Sequence, residues 1–347
     1  MKILKYLFFL LLIVFIGGAI YFATKDGNYQ IEQSKIIDAP VSVVFNKVND
    51  YKTWENWGPW KKEDPTMVFN YPEKTKGEGA SYSWNGKDVD GSMRTTSVIP
   101  DNSIKQDITF QTPAGERKAD VYWNFEEVEG GTKVTWGMKG EHPLMDKAYF
   151  AVTGTDFDAD MREMYKSGLE SLSQSVEKDL KVYSVSVDGI TQHGGGFYMY
   201  TSASTSLEAL DARMAELLPK VHRFMEENNI TMAGKPMTIY NEWDEQNGTA
   251  IISCAIPTTT RIITPSESAV LCSFMPSQTV VKATLKGDYK NLKEAWDKAQ
   301  AYVQDNGYEQ PLDSAPFELY VTDPEETPNP ADWITEIYIP IKAIETP

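Results

Sequence analysis

The second half of this chain repeats itself, and that repeat constrains its fold more than any other feature. Gly196-Phe197-Tyr198-Met199-Tyr200 has the aromatic-rich pattern of a strand, and an amphipathic helix follows it. Leu207, Leu210, Met214, Leu217, Leu218, Val221, Phe224 and Met225 fall on one face of that helix. Thr205-x-x-Glu208 fits a capping box, and Pro219 predicts a kink or a break. Residues 237–243 and 249–256 then read as a hairpin across Gln246-Asn247-Gly248. The order recurs with a strand at 280–286 and a helical stripe of Leu292, Ala295, Trp296, Ala299, Tyr302 and Val303. Asn306-Gly307 closes the stripe as a C-cap, and strands at 317–321 and 333–340 follow. The fold class is therefore α+β, with a duplicated strand-helix-strand-strand unit over residues 182–347.

In the last of these strands, Trp333, Thr335, Ile337 and Ile339 point one way and Ile334, Glu336 and Tyr338 the other. Both faces are mostly apolar, which places one carboxylate in the middle of a covered strand. A buried carboxylate must be paired, protonated or met by a cation. Two readings of Glu336 stand open: a ligand-binding charge, or a structural glutamate held by backbone amides or a tyrosine hydroxyl.

The N-terminus is of another kind. Lys2 and Lys5 precede an apolar run over 6–23, with Lys25 and Asp26 beyond it. The run is at the short end of the ~17–25 residues that span a bilayer, and longer than the ~7–15 apolar residues of a cleaved signal. Tyr21 and Phe22 stand where a cleavage site would want small residues. The expectation is a membrane anchor over 1–26, with a cleaved signal peptide as the alternative. Lysines at the N-terminus put that end in the cytoplasm and the rest outside the inner membrane, as a single-pass protein.

Composition excludes several classes. A net charge of −17 and the lack of a basic patch argue against nucleic acid as a partner. Three scattered histidines (His142, His193 and His222) and no Cys-x-x-Cys predict no metal site, and no cofactor fingerprint occurs. Cys254 and Cys272 fit either a disulfide or two free thiols. His193-Gly194-Gly195-Gly196 has the look of a lipase oxyanion loop, but no Gly-x-Ser-x-Gly elbow accompanies it, so it reads as a glycine-rich entry to a strand.

Between the anchor and the repeat, residues 27–181 carry a strand over 29–37, Asp38-Ala39-Pro40, and a short helix over 41–48. Trp54, Trp57 and Trp60 follow, then strand-like pieces with turns at Asn85-Gly86 and Gly130-Gly131. Met161, Met164, Tyr165, Gly168, Leu169, Leu172 and Val176 recur at helical spacing at the end. Ile37 to Pro40, Trp54 to Pro59, 131–136 and the helix over 158–178 together resemble the polyketide cyclase-like branch of the START/Bet v 1 (SRPBCC) superfamily. The resemblance implies a helix-grip domain, an antiparallel sheet curled around the long helix with an apolar cavity between them. Trp84, Trp123 and Trp136, like the first three tryptophans, either line that cavity or pack the core.

The second repeat resembles the gyrase-inhibitor-like small-molecule-binding family, whose fold is shared by effector-binding domains of AraC-type and MerR-type regulators. The matching residues are Gly287 to Tyr289, Leu292 to Trp296, Glu318 to Pro324 and Trp333 to Pro340. Gly234-Lys235-Pro236 with Tyr240 fits the first repeat. Lys286 departs from the pattern, because many members have histidine before the glycine. The resemblance implies a pseudo-twofold domain with an aromatic cleft, a glutamate at Glu336 on its floor, and a hydrophobic, cationic ligand. Tyr198, Tyr240, Trp296, Tyr320 and Tyr338 are the expected walls, where cation–π attraction adds about 0.5–2 kcal/mol per ring.

These readings converge on a membrane-anchored protein with two tandem ligand pockets, the first for a lipid-like molecule. The resemblance to the gyrase-inhibitor-like family also implies an alternative, a hydrolase of reactive cyclopropanoid compounds, with Glu336 as general base and Tyr338 or Tyr240 orienting it.

Overall fold

The computed structural model describes residues 2–87, 89–112 and 115–342; the side chain of Lys2, invoked above for orientation, lies outside the described residues. The chain divides into two compact units, Met1–Asp179 and Leu180–Pro347.

The first unit begins with α1 (Lys2–Ala23). At 1.5 Å per residue it is about 33 Å long, against a hydrocarbon core of about 30 Å. Its segment Ile3–Ala23 has a mean hydropathy of 2.5 and none of it is buried, so it is long and apolar enough to cross a membrane. Next come β1 (Asn28–Ile37), α2 (Val41–Asn49), α3 (Trp60–Glu63), β2 (Val68–Asn70), β3 (Ser81–Asn85) and β4 (Asp90–Ile99). The unit continues with β5 (Ser103–Thr112), β6 (Gly115–Val128), β7 (Gly131–Glu141), α4 (Leu144–Thr153) and α5 (Phe157–Leu180). The seven strands form one antiparallel sheet in the order β1-β7-β6-β5-β4-β3-β2. Helix α5 packs its predicted stripe on this sheet. Tyr165 stacks on Trp136 at 4.0 Å, and Gly168 lets the helix approach, since a Cβ there would meet the Trp136 ring at 2.6 Å.

Where an apolar cavity was expected, tryptophans crowd together. Trp54, Trp57, Trp123 and Trp136 are all fully buried, with Trp123 stacked on Trp136 at 4.5 Å and Trp54 against Trp57 at 5.1 Å. Burying rings of this size supplies much of the unit's apolar stabilisation. The Trp57 and Trp136 Nε1–H groups have no hydrogen-bond partner, the one polar irregularity in this cluster among the described residues.

The second unit contains β8 (Ser184–His193), β9 (Gly196–Ser206), α6 (Leu210–Glu227), β10 (Met237–Asp244) and β11 (Thr249–Thr258). It continues with β12 (Leu271–Met275), β13 (Gln278–Lys286), α7 (Leu292–Asp305), β14 (Phe317–Tyr320) and β15 (Ile334–Pro340). All eight strands join one antiparallel sheet in the order β12-β9-β11-β10-β14-β15-β13-β8. The two repeats meet at β10 and β14. Each also has a leading strand that the sequence pattern did not reveal, and these strands are exchanged. β8 runs into β9 yet pairs with β13 of the second repeat, while β12 runs into β13 yet pairs with β9 of the first.

The exchange explains the glycine run. The links β8–β9 and β12–β13 pass so close that a Cβ on Gly195 would lie 2.1 Å from the Met275 carbonyl oxygen and 2.6 Å from the Pro276 carbonyl carbon. Gly195 also has φ +68°, which only glycine adopts readily. Two smaller expectations change. Helix α6 runs through Pro219 without a break, and no capping box forms, because Thr205 lies within β9 and its hydroxyl donates to the Ser206 carbonyl. Both cysteines are free.

Candidate functional site

Strand alternation and register sort the expected site residues onto two faces of the second sheet. Ile337 and Ile339 of β15 pack with Ala295, Ala299 and Val303 of α7, so odd positions there face the helix. Across the ladder Glu318 is directly opposite Ile337, and Leu319 is opposite Glu336. Residues paired in register share a face, so Glu318 points to the helix side and Glu336 away from it. Thr238 pairs with Glu318 across β10 and β14, which continues the helix-side row into the first repeat.

On the helix side three of the expected wall residues gather, but around Glu318. The Trp296 Nε1–H donates to Glu318 Oε1 at 2.5 Å, and the Tyr320 hydroxyl donates to Oε2 at 3.0 Å. The Tyr240 hydroxyl is a third donor to the same carboxylate. Tyr320 OH also lies 3.0 Å from Thr238 Oγ1, and Tyr240 meets Trp296 edge to face at 5.3 Å. Tyr289 packs edge-on to Tyr320 at 5.8 Å and lies over Trp333 at 4.7 Å. Met214 of α6 touches Tyr320 OH at 3.5 Å, so helices from both repeats bound the box.

Glu318 is 1% exposed, and among the described residues no ammonium or guanidinium pairs with it. Burial therefore pushes its pKa above the ordinary glutamate value, and the three donors oppose that shift without cancelling it. The neighbouring phenols respond in kind. Burial first, and the Glu318 charge second, push Tyr240 and Tyr320 well above the usual tyrosine range.

The opposite face holds Glu336, and here the expectation of a single cleft needs correction. Glu336 Oε1 pairs with Lys282 Nζ at 2.7 Å, and Oε2 accepts from the Tyr338 hydroxyl at 2.6 Å. Its charge is thus matched inside the fold, and its side chain keeps 20% exposure. Tyr338 stacks on Phe317 at 4.9 Å, and His193 sits against both rings at 5.3 and 4.9 Å. Burial lowers the His193 pKa while the Glu336 charge raises it. Tyr198 packs in the same cluster as Tyr338. The structure therefore brings Trp296, Tyr240 and Tyr320 together, and separates them from Glu336, Tyr338 and Tyr198 by the thickness of the sheet. Lys282 is the residue that accounts for Glu336, and it falls in the strand where the sequence pattern shows only alternation.

The sequence pattern does not single out Glu318. One available signal was that Glu318 and Tyr320 stand two apart in a strand, sharing a face as a carboxylate and a phenol do in a polar box. A separate groove of about 370 Å³ opens at the C-terminal end of α6, lined by Phe224, Asn228, Ile230, Thr258 and Ile262 among others. It holds none of the expected residues and lies away from both carboxylates.

Two segments of the chain match known families. Residues 29–177 match the family described as polyketide cyclase / dehydrase and lipid transport, and residues 274–342 match the GyrI-like small molecule binding domain. No curated protein matches the chain. Among solved structures, the C-terminal domain of EcmrR is 17% identical, covering 47% of this chain and 99% of that chain, with a TM-score of 0.41. The EcmrR–DNA complex gives 16% identity over 58% of this chain and 72% of that chain, also at 0.41. The Aha1 dimer from Colwellia psychrerythraea gives 16% identity over 43% of this chain and 96% of that chain, at 0.32. Behind an apolar N-terminal helix, the chain thus carries a polyketide cyclase-like segment followed by a GyrI-like small-molecule-binding segment.

Proposed function

We propose that the second unit binds a hydrophobic organic cation, with Glu318 as the charge partner and Trp296, Tyr240 and Tyr320 as the walls. The observation that carries this reading is a carboxylate 1% exposed, held by neutral donors and given no counter-ion among the described residues. Such a group gains most from a ligand that brings both positive charge and apolar bulk, since aromatic faces attract cations in a site that excludes water. The box is closed by its own side chains, so binding replaces the Trp296 N–H and displaces its ring from the carboxylate. Glu336 has no such need, because Lys282 and Tyr338 already satisfy it.

The reading places both units outside the cytoplasmic membrane behind α1, where the protein would sense, sequester or shuttle its ligand. Protease treatment of intact spheroplasts tests that placement, with digestion of both units expected and full protection contradicting it. Ligand binding is tested by thermal shift on the full chain with a panel of lipophilic cations. Wild type and Glu336→Gln are stabilised, and Glu318→Gln is not. Equal stabilisation of all three overturns Glu318 as the recognition charge.

The hydrolase reading is favoured by one observation: a carboxylate whose pKa burial raises, beside two tyrosine hydroxyls, suits a general base better than the ion-paired Glu336 does. Turnover of an electrophilic cyclopropane that disappears in Glu318→Gln would support it, and turnover unchanged in that variant would end it.

A further inference from the structure

We infer that α4 lies on the bilayer surface as a second membrane contact, with Met145, Tyr149 and Val152 in the boundary between headgroups and acyl chains. The inference rests on α1 spanning the membrane. Met145, Tyr149 and Val152 stand at i, i+4 and i+7, so they form one stripe along the helix. They are 64%, 60% and 85% exposed, an apolar stripe facing away from the protein. The other side of α4 is fixed to the fold. Phe150 packs on His142 at 5.0 Å and on Phe157 at 5.7 Å, and Asp146 takes both Arg117 Nε at 2.7 Å and Nη2 at 2.8 Å.

The occupant follows from what α4 is fastened to. It lies against α1, and Lys147 Nζ donates to the Lys25 carbonyl at 2.7 Å, two residues beyond the last apolar turn. The amide of His142, just before α4, donates to the Gly27 carbonyl at 2.8 Å, and a Cβ on Gly27 would meet the His142 carbonyl oxygen at 2.6 Å. The chain emerging from α1 is thus pinned to the start of α4. The level at which Lys25 and Asp26 end the apolar run is the level of the headgroups, so the α4 stripe sits at that same depth. Lys25 also lies over the Tyr21 ring at 4.9 Å, and an aromatic with a basic residue is the usual signature of that boundary. Tyr149 on the stripe extends the same chemistry sideways along the surface.

The test uses the full chain in nanodiscs of phosphatidylethanolamine and phosphatidylglycerol, with Cys254→Ala and Cys272→Ala removing the native thiols. Spin labels are placed singly by Phe15→Cys in α1, by Tyr149→Cys or Val152→Cys on the stripe, and by Glu267→Cys, an exposed position of the second unit, as a water-facing reference. Collision with oxygen against collision with a water-soluble nickel complex reports depth. The expected result is a deep label at 15, shallow burial at 149 and 152 with the nickel collision rate reduced at least threefold relative to 267, and a label at 267 open to nickel. A deep label at 15 with 149 and 152 as open to nickel as 267 overturns the surface contact and leaves the anchor standing. A label at 15 open to nickel overturns both. Shielding at 149 and 152 that persists in detergent and grows with protein concentration identifies a second copy of the chain as the occupant, and overturns the lipid contact.

Discussion

Glu318 and Glu336 sit on adjacent strands of one sheet, one register step apart, and their situations are opposite. Glu318 faces the helices, is fully buried, and is held by an indole and two phenols, with no positive charge paired to it among the described residues. Glu336 faces away, keeps part of its exposure, and is neutralised by Lys282. The difference shows that a carboxylate in an apolar strand is not by itself a site. What matters is whether the fold has already matched its charge. A fold that buries an acid and supplies only neutral donors leaves electrostatic attraction for something else to collect, whereas an internal ion pair leaves none.

The largest way to sharpen that contrast is ligand affinity. Removing the charge in Glu318→Gln should weaken binding of a lipophilic cation by at least about 30-fold, roughly 2 kcal/mol, while Glu336→Gln leaves affinity within about twofold. Calorimetric titration of both variants reads this directly.

Next in size is the crossing that holds both strands in register. Gly195→Ala forces a Cβ into the Met275–Pro276 backbone at a positive φ, and should destabilise the second unit by about 1–2 kcal/mol. Chemical denaturation followed by far-UV circular dichroism measures it, and a loss below about 0.5 kcal/mol would mean that the two links are free to part.

Smaller again is the effect of Glu318 on the ligand-free protein. Burial raises its folded pKa above the ordinary 4.5, so its contribution to stability is fully present below that value and is lost as pH rises through the folded value. Replacing it by glutamine removes the loss. Ligand-free Glu318→Gln should therefore melt a few degrees higher than wild type at neutral pH, about 1 kcal/mol, with the gap closing toward pH 4. A variant that melts lower at pH 7 and equally at pH 4 would contradict the raised pKa.

The smallest effect belongs to the other face. Lys282 and Glu336 are both partly exposed, so screening limits the pair, and Lys282→Met should cost about 0.5–1 kcal/mol. Salt titration of the melting temperature should shrink the difference from wild type.

Much of the fold was legible. The repeat announced itself through helical stripes and turn glycines, and the strand alternation of β15 is as its sequence implies. The arms β8 and β12 were not, because each pairs with the repeat it does not lead into, and local pattern carries no sign of a distant partner. The glycines at 194–196 were the visible trace of the crossing, but their meaning depends on Met275 and Pro276, eighty residues away. The site was half legible. Trp296, Tyr240 and Tyr320 are the right kinds of residue in one place, yet assigning them to Glu336 required knowing which face of β15 meets α7. Alternation gives two faces without labelling them; only the pairing of Glu318 with Ile337 does that. In the first unit the tryptophans were visible and their packing was not, since whether rings line a cavity or fill it depends on volumes that a sequence does not display.

The most direct measurement compares a cation with its uncharged twin. Benzyltrimethylammonium and neopentylbenzene have nearly the same shape and differ by one charge. Titrated into wild type, Glu318→Gln and Glu336→Gln, the cation should bind at least tenfold more tightly than its twin to wild type and to Glu336→Gln, and no better than the twin to Glu318→Gln. A preference for the cation that survives in Glu318→Gln but vanishes in Glu336→Gln would contradict the account and return the recognition charge to the other face of the sheet.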